Sequence, residues 1–384
     1  MSGDMRLKNR GNERNDVTER RKAIEDATGA ELDHVSKYSF DPSSASKNIE
    51  NMIGATQIPL GFAGPVKING RHASGEFLIP LATTEGALVA SVSRGMSAIT
   101  RSGGANVRIF KDAMTRAPVF RVTGIEHSLR VIEWISKNMK KLKDAVAGTT
   151  SHGKLIDIET FPNGRSLFVR FSYDTGDAMG MNMATIATEA ACKLIEKETD
   201  AVLISVSGNM CIDKKPAWIN SIEGRGKTVI AEAIIPSDIV ANKLHTSVDA
   251  IVETNIRKNL IGSSMAGSIG FNAHAANMVA ALYIATGQDP AQVVEGSLTM
   301  TTCESVDGAL YIAVRMPSVE VGTVGGGTRL PCQSEALKMM DCLGKGKAGK
   351  LAEITAATVL AGELSTLGAQ AAGQLGKAHS ELGR

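Results

Sequence analysis

The stretch "KLIDIETFPNGRSLFVRFSY", residues 154–173, contains the clearest fold signal in the chain. "KLIDIET" and "RSLFVRFSY" are rich in β-branched and aromatic residues, and "FPNG" between them has the composition of a turn. The stretch is therefore predicted to form two strands joined by a tight connection.

The segments on either side of this hairpin extend the pattern. Before it, "PVFRVTG" predicts a strand and "HSLRVIEWISKNMKKLKDAV" an amphipathic helix; after it, "MNMATIATEAACKLIEKE" predicts a second helix and "AVLISVS" a last strand. The order β-α-β-β-α-β is that of the ferredoxin-like, or split βαβ, plan. We place this unit at residues 118–206, as an insertion into a larger domain formed by residues 51–117 and 207–384.

The rest of the chain is predicted to be mainly helical, which makes the fold class α+β. Residues 1–50 form a small N-terminal segment with one helix around "VTERRKAIEDAT". "LATTEGALVASVSRGMSAI" predicts a helix with Thr83 or Thr84 as its cap and Glu85 in its first turn. "MAGSIGFNAHAANMVAALYIATG" is apolar on nearly all sides, which predicts a central, tightly packed helix.

Composition excludes several classes of partner. Among 384 residues, Lys plus Arg (42) nearly balances Asp plus Glu (40), so no global charge favours nucleic acid or a membrane surface. The N-terminus is polar and charged, and no apolar run approaches the length of a membrane span. We therefore expect a cytoplasmic protein.

The five cysteines are an odd number with no CxxC pair, and the seven histidines show no paired metal spacing. This pattern favours reduced thiols and no metal site. Cys211 could be a nucleophile, but no histidine lies near it in the sequence, and a small apolar filler is the simpler interpretation.

Three segments could carry chemistry. In "SGNMCIDKKP" (residues 207–216), Asp213, Lys214 and Lys215 form either a surface cluster or a site for two anions. "YDTGDAMGMNMAT" (173–185) and "TVGGGT" (323–328) contain glycines that let the backbone approach a ligand, and a helix start after the first suits a phosphate. Tight turns are the alternative for both glycine segments.

Longer motifs give a more specific signal. "ENMIGATQIPLGFAGP", "PLATTEGALVAS", "GDAMGMNM", "SGNMCIDKKPAWINSIEGRGK", "GQDPAQ" and "GTVGGGT" occur in this order from about Glu50 onward. They resemble the signature segments of class I 3-hydroxy-3-methylglutaryl-CoA (HMG-CoA) reductases. The resemblance implies NADPH-dependent, four-electron reduction of HMG-CoA to mevalonate and free CoA through a mevaldehyde-level intermediate, a step of isoprenoid biosynthesis.

The same resemblance implies further properties. NADPH is expected on the ferredoxin-like domain, and the protein is expected to be a homodimer or tetramer with its active site at the subunit interface. No nucleic acid, membrane or metal is implied. The pattern is that of the soluble prokaryotic, archaeal-type members.

Site residues follow from the resemblance, position by position. The implied catalytic residues are Glu85, Lys214, Asp289 and His379. The implied contacts of the HMG group are Arg116, Ser207, Asn209, Asp213 and Lys215. The implied CoA contacts are Ser91, Arg94, Lys258, His274, Asn277 and Ser365. The implied NADPH contacts are Asp177, Met179, Gly180, Met181, Asn182, Gly325, Gly326 and Arg384.

The implied catalytic roles agree with the chemistry. Hydride addition to a carbonyl places negative charge on oxygen, which Lys214 would stabilise, and Asp289 would keep that lysine charged. Glu85 would protonate the aldehyde-level intermediate, and His379 the departing CoA thiolate. His379 lies close to the chain end, which suggests a mobile tail.

The sequence departs from the family pattern at a few positions. Ser93 stands where some members have Asn next to CoA. Ser151 and His152 replace an Arg–aromatic pair near the NADPH 2′-phosphate, while Lys154 is retained.

Two other functions fit parts of the chain. A lyase or acyltransferase acting on a CoA thioester would use the same cations without a nicotinamide site. An RNA-binding module could use the aromatic residues of "RSLFVRFSY", although the RNP aromatic–glycine pattern is missing.

Overall fold

A computed structural model describes residues 11–150 and 153–373 and has a mixed α/β fold. Its strands are β1 (Leu60–Gly70), β2 (Ser74–Ala82), β3 (Ala105–Arg116), β4 (Val119–Arg121), β5 (Lys154–Asn163), β6 (Ser166–Asp174), β7 (Val202–Ser205), β8 (Gly226–Ile235), β9 (Met300–Val306) and β10 (Ala309–Val319). Its α-helices are α1 (Arg14–Thr28), α2 (Leu88–Arg101), α3 (Ile125–Lys137), α4 (Met139–Ala147), α5 (Met181–Thr199), α6 (Trp218–Glu223), α7 (Ser237–Ile239), α8 (Val248–Thr254), α9 (Ser263–Met265), α10 (Ala275–Thr286), α11 (Val293–Gly296), α12 (Pro331–Met339) and α13 (Ala348–Ala371). π-Helical segments lie at Val240–Leu244 and Asn255–Gly262.

The predicted β-α-β-β-α-β order is confirmed by β4, α3 with α4, β5, β6, α5 and β7. These strands lie in the order β7-β4-β6-β5, and every neighbouring pair is antiparallel. The first helix is divided at Asn138, whose side-chain amide donates to the carbonyl of Trp134 (2.8 Å). This bond satisfies a carbonyl at the end of α3 and starts α4 in a new direction.

Strand β3 connects this four-stranded unit to the rest of the sheet. Its end pairs with β6, while its earlier part lies between β1, to which it is parallel, and β8. The sheet continues through β8, β10 and β9. The described strands therefore belong to one sheet, in which β1, β2 and β5 branch off the path β7-β4-β6-β3-β8-β10-β9.

Two buried apolar clusters accompany this sheet. One contains the β4–β7 strands with α3, α4 and α5; the other packs α2, α10 and α13 against β1, β2, β3, β8 and β10. Helix α13 is buried along almost its whole length. Small residues where α2 and α13 meet make this burial possible. A Cβ on Gly95 of α2 would collide with the carbonyl of Ala361 on α13.

The expectation of a mainly helical remainder is incomplete, because β8, β9 and β10 were missed. In β8, buried Val229, Ala231, Ala233 and Ile235 alternate with less buried residues, but Ala and Glu in the segment weaken the strand signal. Strand β10 is buried on both faces and shows no clean alternation. A short apolar run of this kind does not distinguish a strand from a buried helix.

Three helix boundaries also differ from the prediction. Helix α2 begins at Leu88, after Ala87 in a left-handed conformation (φ 67°), so Glu85 lies in the preceding loop and not in the first turn. Helix α10 covers only residues from Ala275 onward, because Gly267 and Gly270 lie in irregular backbone before it. The run "ATGQDPAQ" also predicts that Asp289 ends this helix, but α10 ends at Thr286 and Asp289 lies beyond it.

The N-terminal helix is confirmed as α1. Its Arg20 is buried and donates to the carbonyl of Met52 and to Asn12 Oδ1, each at 2.9 Å. Within residues 11–150 and 153–373, no helix combines the length and the apolar character that a bilayer crossing needs.

Candidate active site

The loop after β7, residues 206–217, has an unusual backbone. Asn209, Ile212 and Lys214 all have positive φ angles (64°, 46° and 61°) although none of them is glycine. Side chains other than glycine are disfavoured in this region, and such residues cluster at functional sites because the surrounding structure must hold them. We call residues 206–217 the lysine loop.

Lys214 forms an ion pair with Asp289, with Nζ 2.9 Å from Oδ2. Asp289 follows α10, and its other oxygen accepts the N–H of Ala291 (3.1 Å), which fixes the carboxylate at the start of a 3₁₀ turn. The hydrogen bond to Asp289 raises the pKa of Lys214 despite opposing desolvation. With the Lys214 side chain 45% exposed, the site presents a stable ammonium to a ligand.

Asp213, the residue before Lys214 in the lysine loop, has a different set of partners. Its Oδ1 accepts from Gln292 Nε2 (3.0 Å) and lies 3.2 Å from Arg225 Nη2, while its Oδ2 lies 3.8 Å from Arg116 Nη1. Lys215 Nζ donates to the carbonyl of Asp213 (2.9 Å). Arg116 and Lys215 therefore lie at different parts of Asp213, Arg116 near its carboxylate and Lys215 at its main-chain carbonyl, while Lys214 next to it pairs with Asp289.

A group of three buried charged side chains contacts the lysine loop and supports it. Arg225 is fully buried, with Nη1 3.3 Å from Glu295 Oε1 and in close contact with Glu320 Oε1. Glu295 Oε1 also accepts the backbone N–H of Lys214. We call Arg225, Glu295 and Glu320 the Arg225 cluster.

The Arg225 cluster contains more carboxyl groups than cations. Burial raises the pKa of Glu295 to about 7 and that of Glu320 well above its usual range, in both cases against the attraction of Arg225. Sequence reasoning did not select these three residues. The available signal was a charged residue inside an otherwise apolar run, as in "AQVVEGSL" and "MPSVEVG".

Glu85 belongs to a second group of polar residues. Its Oε1 accepts from Asn277 Nδ2 (3.1 Å), and that amide lies 3.2 Å from His274 Nδ1. His274 Nε2 lies 2.6 Å from Thr366 Oγ1. These residues line a cavity of about 430 Å³ between α2, α10 and α13. Of the polar side chains that line it, Thr366 and Gln370 were not predicted from the sequence.

One side of this cavity is cationic. Arg94 donates from Nε to Ser365 Oγ (3.0 Å) and from Nη2 to the Ser365 carbonyl (2.8 Å), and Ser91 Oγ lies 2.9 Å from the same hydroxyl. Burial lowers the pKa of Arg94. The buried Ser365 thus holds Ser91 and Arg94 together at the cavity wall, and a guanidinium here suits a phosphate or carboxylate.

Lys258 lies apart from the cavity lining. It is on a π-helical segment, where Nζ donates to Asn259 Oδ1 (3.1 Å). Burial lowers its pKa, and the charge of Glu363 opposes this shift. Glu363 in turn accepts the N–H of His274 (2.8 Å), so the lysine and the cavity are connected through one buried carboxylate.

The two glycine segments are in contact. The N–H of Thr323 donates to the carbonyl of Asp177 (2.8 Å), and a Cβ on Gly322 would meet the backbone N of Met179 at 2.6 Å. Gly180 precedes α5 with φ 89°. Gly325 and Gly326 have positive φ, and a Cβ on either would meet nothing within 4 Å. Gly325 and Gly326 therefore border open space, whereas a Cβ on Gly180, directly before α5, would collide with Thr175.

Asp177 has a structural contact that its predicted role does not include. Its carboxylate accepts the N–H groups of Gly346 (2.7 Å) and Ala348 (3.2 Å), where α13 begins. Met179 and Met181 pack against the apolar cluster of the β4–β7 unit, while Asn182 is exposed.

The predicted catalytic residues fall into separate groups in the chain. Lys214 and Asp289 are paired, but within the described ranges no hydrogen bond or ion pair joins Glu85 to either. Ser207 is half-buried and Asn209 is exposed, both on the lysine loop. His379 and Arg384 lie outside the described residues, as do Ser151 and His152.

The cysteines and the aromatic residues of β6 bear on the nucleophile, metal-site and RNA-binding alternatives. All five cysteines are free thiols, and Cys211 is fully buried, as a small filler would be. In the described part of the chain, no three His, Cys, Asp or Glu side chains are placed to hold a metal. Phe171 and Tyr173 are buried in the core and Phe168 is half-buried, so two of the three aromatic side chains of "RSLFVRFSY" are not exposed for stacking on RNA bases.

A paired lysine on a strained loop, a cavity with a half-buried arginine and a glycine-bordered space are together features of an enzyme for small anionic molecules. Comparison with known proteins identifies the family. The family model described as Hydroxymethylglutaryl-coenzyme A reductase matches residues 16–384. The chain belongs to the hydroxymethylglutaryl-coenzyme A reductase family.

Individual relatives agree with this assignment. The 3-hydroxy-3-methylglutaryl-coenzyme A reductase of Methanocaldococcus jannaschii is 55% identical over 372 residues, covering 95% of this chain and 92% of that protein. The protein of the same name from Haloferax volcanii is 53% identical over 370 residues, with the same coverage.

A solved structure shares the fold. The class II 3-hydroxy-3-methylglutaryl-CoA reductase from Streptococcus pneumoniae, bound to NADPH in open conformations, superposes with a TM-score of 0.71. It is 18% identical, and the match covers 92% of this chain and 96% of that one.

Proposed function

We propose that this chain catalyses the NADPH-dependent reduction of HMG-CoA to mevalonate and CoA. In the balanced reaction, one thioester, two NADPH and two protons give mevalonate, CoA and two NADP⁺. The observation that carries the proposal is the Lys214–Asp289 ion pair at 2.9 Å, held on a loop with a constrained backbone. In this proposal the ammonium supplies the fixed positive charge that an oxyanion formed during hydride addition needs.

Lys214 is proposed to stabilise the carbonyl oxygen in both reductions. Asp289 keeps it protonated, since their hydrogen bond raises the lysine pKa. The pair needs no change of protonation to do this. Its contribution is preorganised charge at a fixed position.

Glu85 is proposed as the acid that protonates the oxygen when the aldehyde-level intermediate is reduced. Asn277 donates to its carboxylate and orients it (3.1 Å). The predicted role of His379, protonation of the CoA thiolate, lies outside the described residues and stays a prediction.

The substrate's two anionic ends are proposed to bind in different places. The HMG carboxylate is assigned to Arg116 and Lys215 near Asp213, with Ser207 and Asn209 completing that pocket on the lysine loop. The CoA phosphates are assigned to the cavity wall of Ser91, Arg94 and Ser365. His274 and Asn277 are also assigned to CoA, next to Glu85, whose carboxylate accepts from Asn277. Lys258 is assigned to CoA as a further positive charge, and it interacts with Glu363, which accepts the His274 N–H.

NADPH supplies the hydride when bound, and the chain's glycine segments fit such a ligand. The backbone at Gly325 and Gly326 faces open space, and α5 begins directly after Gly180 with free N–H groups suited to a pyrophosphate. The carboxylate bonds of Asp177 hold this segment against α13. Direct NADPH contacts of Asp177, Met179, Met181, Asn182 and Arg384 stay predictions.

The finer assignments are part of the same proposal. The β4–β7 unit, with its own apolar cluster, supports an inserted cofactor domain at residues 118–206. Class I membership is supported by the motifs and by the low identity, 18%, to the class II structure. A cytoplasmic location stays the prediction made from the sequence.

A homodimer or larger assembly is proposed to bring Glu85 and the lysine loop together. The support is that these groups are not bonded to each other within the chain, while large apolar side chains are exposed nearby. Leu60 and Phe62 on β1, and Trp218 and Ile222 on α6, are 53 to 71% exposed. Light scattering measures the mass in solution, and a monomer that turns over substrate would contradict this part.

The whole proposal is tested by adding HMG-CoA and NADPH to the purified full chain. We expect loss of the absorbance of reduced nicotinamide, with two NADPH consumed per CoA released. CoA release without NADPH consumption would instead identify a lyase or an acyltransferase. No reaction by a folded protein would refute the reductase.

A further inference from the structure

The backbone of Lys214 is held by a side chain that the reaction scheme above does not use. Lys214 adopts φ 61°, and its N–H donates to Oε1 of the fully buried Glu295. Glu295 is 81 residues away along the chain and lies on α11. The contact therefore depends on the fold and not on local sequence.

This backbone bond determines where the ammonium points. The Cβ direction of a residue follows from its φ and ψ, and a left-handed lysine is disfavoured unless something holds it. If Lys214 relaxed to a right-handed or extended backbone, its side chain would leave from a different direction. The 2.9 Å contact with Asp289 would then be lost.

Glu295 is itself fixed by Arg225, which is fully buried. Nη1 of the guanidinium lies 3.3 Å from Glu295 Oε1, and Nη2 lies 3.2 Å from Asp213 Oδ1. One arginine thus supports two successive residues of the lysine loop, Asp213 directly and Lys214 through Glu295. Planar guanidinium groups suit such a double role because their donors have fixed directions.

We propose that Glu295 is a positioning residue of the reductase: its buried carboxyl oxygen accepts the Lys214 N–H, holds the left-handed backbone and aims the ammonium at the reacting oxygen. This inference rests on the proposed function for what the ammonium does. The geometric part, that Glu295 holds the backbone, is independent of the substrate.

The geometry also indicates that the acceptor matters more than the charge. Among the described residues, the second oxygen of Glu295 is buried and has no hydrogen-bond partner, and the second oxygen of Glu320 is in the same situation. Groups facing Glu295 are Arg225, Glu320, Asp213, the Lys214 N–H and the neutral Gln292. Tyr283 on α10 adds a buried neutral phenol, and a pKa near 7 for Glu295 fits a carboxyl that carries a proton for much of the time.

Two substitutions separate the acceptor from the charge. Glu295→Gln keeps an oxygen for the Lys214 N–H, and Glu295→Met removes it while keeping a similar side-chain length. We expect kcat of E295Q to stay within about threefold of the wild type, and kcat of E295M to fall by about 10- to 100-fold, the loss typical of a small displacement of a catalytic group. KM for NADPH should change less than about twofold in both, since the glycine segments are untouched. Glu335→Gln, on the exposed face of α12, is the matched control.

Amide hydrogen exchange gives a readout that needs no activity. In the wild type and in E295Q, the Lys214 amide should exchange slowly, although its side chain is exposed; in E295M it should exchange at least about tenfold faster. A rapidly exchanging Lys214 amide in the wild type would overturn the inference even if E295M does not fold. E295M with wild-type kcat and exchange would overturn it too, as would E295Q losing as much kcat as E295M.

These outcomes are distinguishable from failure of the proposed function. A wild type that does not reduce HMG-CoA would refute the reductase, whereas slow exchange of the Lys214 amide would still support the backbone contact.

Discussion

The lysine loop and the cavity lined by Glu85, His274 and Asn277 hold the predicted catalytic groups in opposite ways. The lysine loop has three left-handed residues, an ion pair and a buried charged group beneath it. The cavity places Glu85 in an exposed loop, joined by a single amide to His274, with no charged partner at hydrogen-bond distance among the described residues. One site has its charge positioned in advance, and the other leaves room for a ligand to complete it.

This difference corresponds to two kinds of chemistry. A group that stabilises developing charge acts best when it does not move, because reorganisation during the reaction costs free energy. A group that transfers a proton must meet substrates that enter and leave, so a more open setting suits it. The following predictions test this contrast in order of decreasing effect.

The largest effect is expected from Lys214→Ala. Loss of the ammonium should lower kcat by about 10³-fold, at the upper end of what removal of one oxyanion donor costs, while NADPH binding remains. Steady-state kinetics and NADPH fluorescence measure the two quantities. Lys338→Ala, on the exposed side of α12, is the control and should be silent. Turnover near the wild-type rate in K214A would remove the oxyanion role.

Glu85→Gln should lower kcat by about 10²-fold, since general acid catalysis contributes about 10² to 10⁴. The amide keeps an oxygen that Asn277 Nδ2 can still donate to, so the loop should keep its place. Added mevaldehyde tests the assignment, because its reduction needs the proton as well. If mevaldehyde is reduced by E85Q as fast as by the wild type, Glu85 is not that acid.

Sequence patterns predicted those parts of the fold that depend on local periodicity. The β4–β7 unit follows from amphipathic helices and from strands rich in β-branched and aromatic residues, and the contact between the glycine segments agrees with both being ligand loops. Strand β8 was missed because Ala and Glu weaken its strand signal, and β10 because a strand buried on both faces lacks alternation. The motifs selected Lys214 and Asp289, which the structure pairs.

The Arg225 cluster could not be predicted in the same way. Arg225 lies 70 residues from Glu295 and 95 from Glu320, and each appears in the sequence as a single charge in an apolar setting. Only the folded sheet brings the end of β10 and helix α11 to the same arginine. Such charges are stable only as a group, because each one alone would be too costly to bury.

Glu295 also makes a prediction for stability. Its pKa is raised by burial from about 4.5 to about 7, so its contribution to stability is fully present below pH 4.5 and is lost as the pH rises through 7. Relative to E295Q, the wild type should lose about 1 to 3 kcal/mol of unfolding free energy between pH 4.5 and pH 8. Urea unfolding at several pH values measures this difference. A constant difference between the two proteins would show that Glu295 ionises normally.

The smallest effect is expected at the cavity wall, from Arg94→Ala. This substitution should weaken substrate binding without slowing the chemical step, because Arg94 is assigned to CoA and not to the reacting carbon. KM for HMG-CoA should rise about tenfold, equivalent to about 1.4 kcal/mol, with kcat changed less than about threefold. Arg101→Ala, at the exposed end of the same helix α2, controls for the loss of a positive charge and should leave KM unchanged. A fall in kcat as large as that of K214A, with KM unchanged, would show that the cavity is preorganised for the transition state as the lysine loop is, and the contrast between the two regions would not hold.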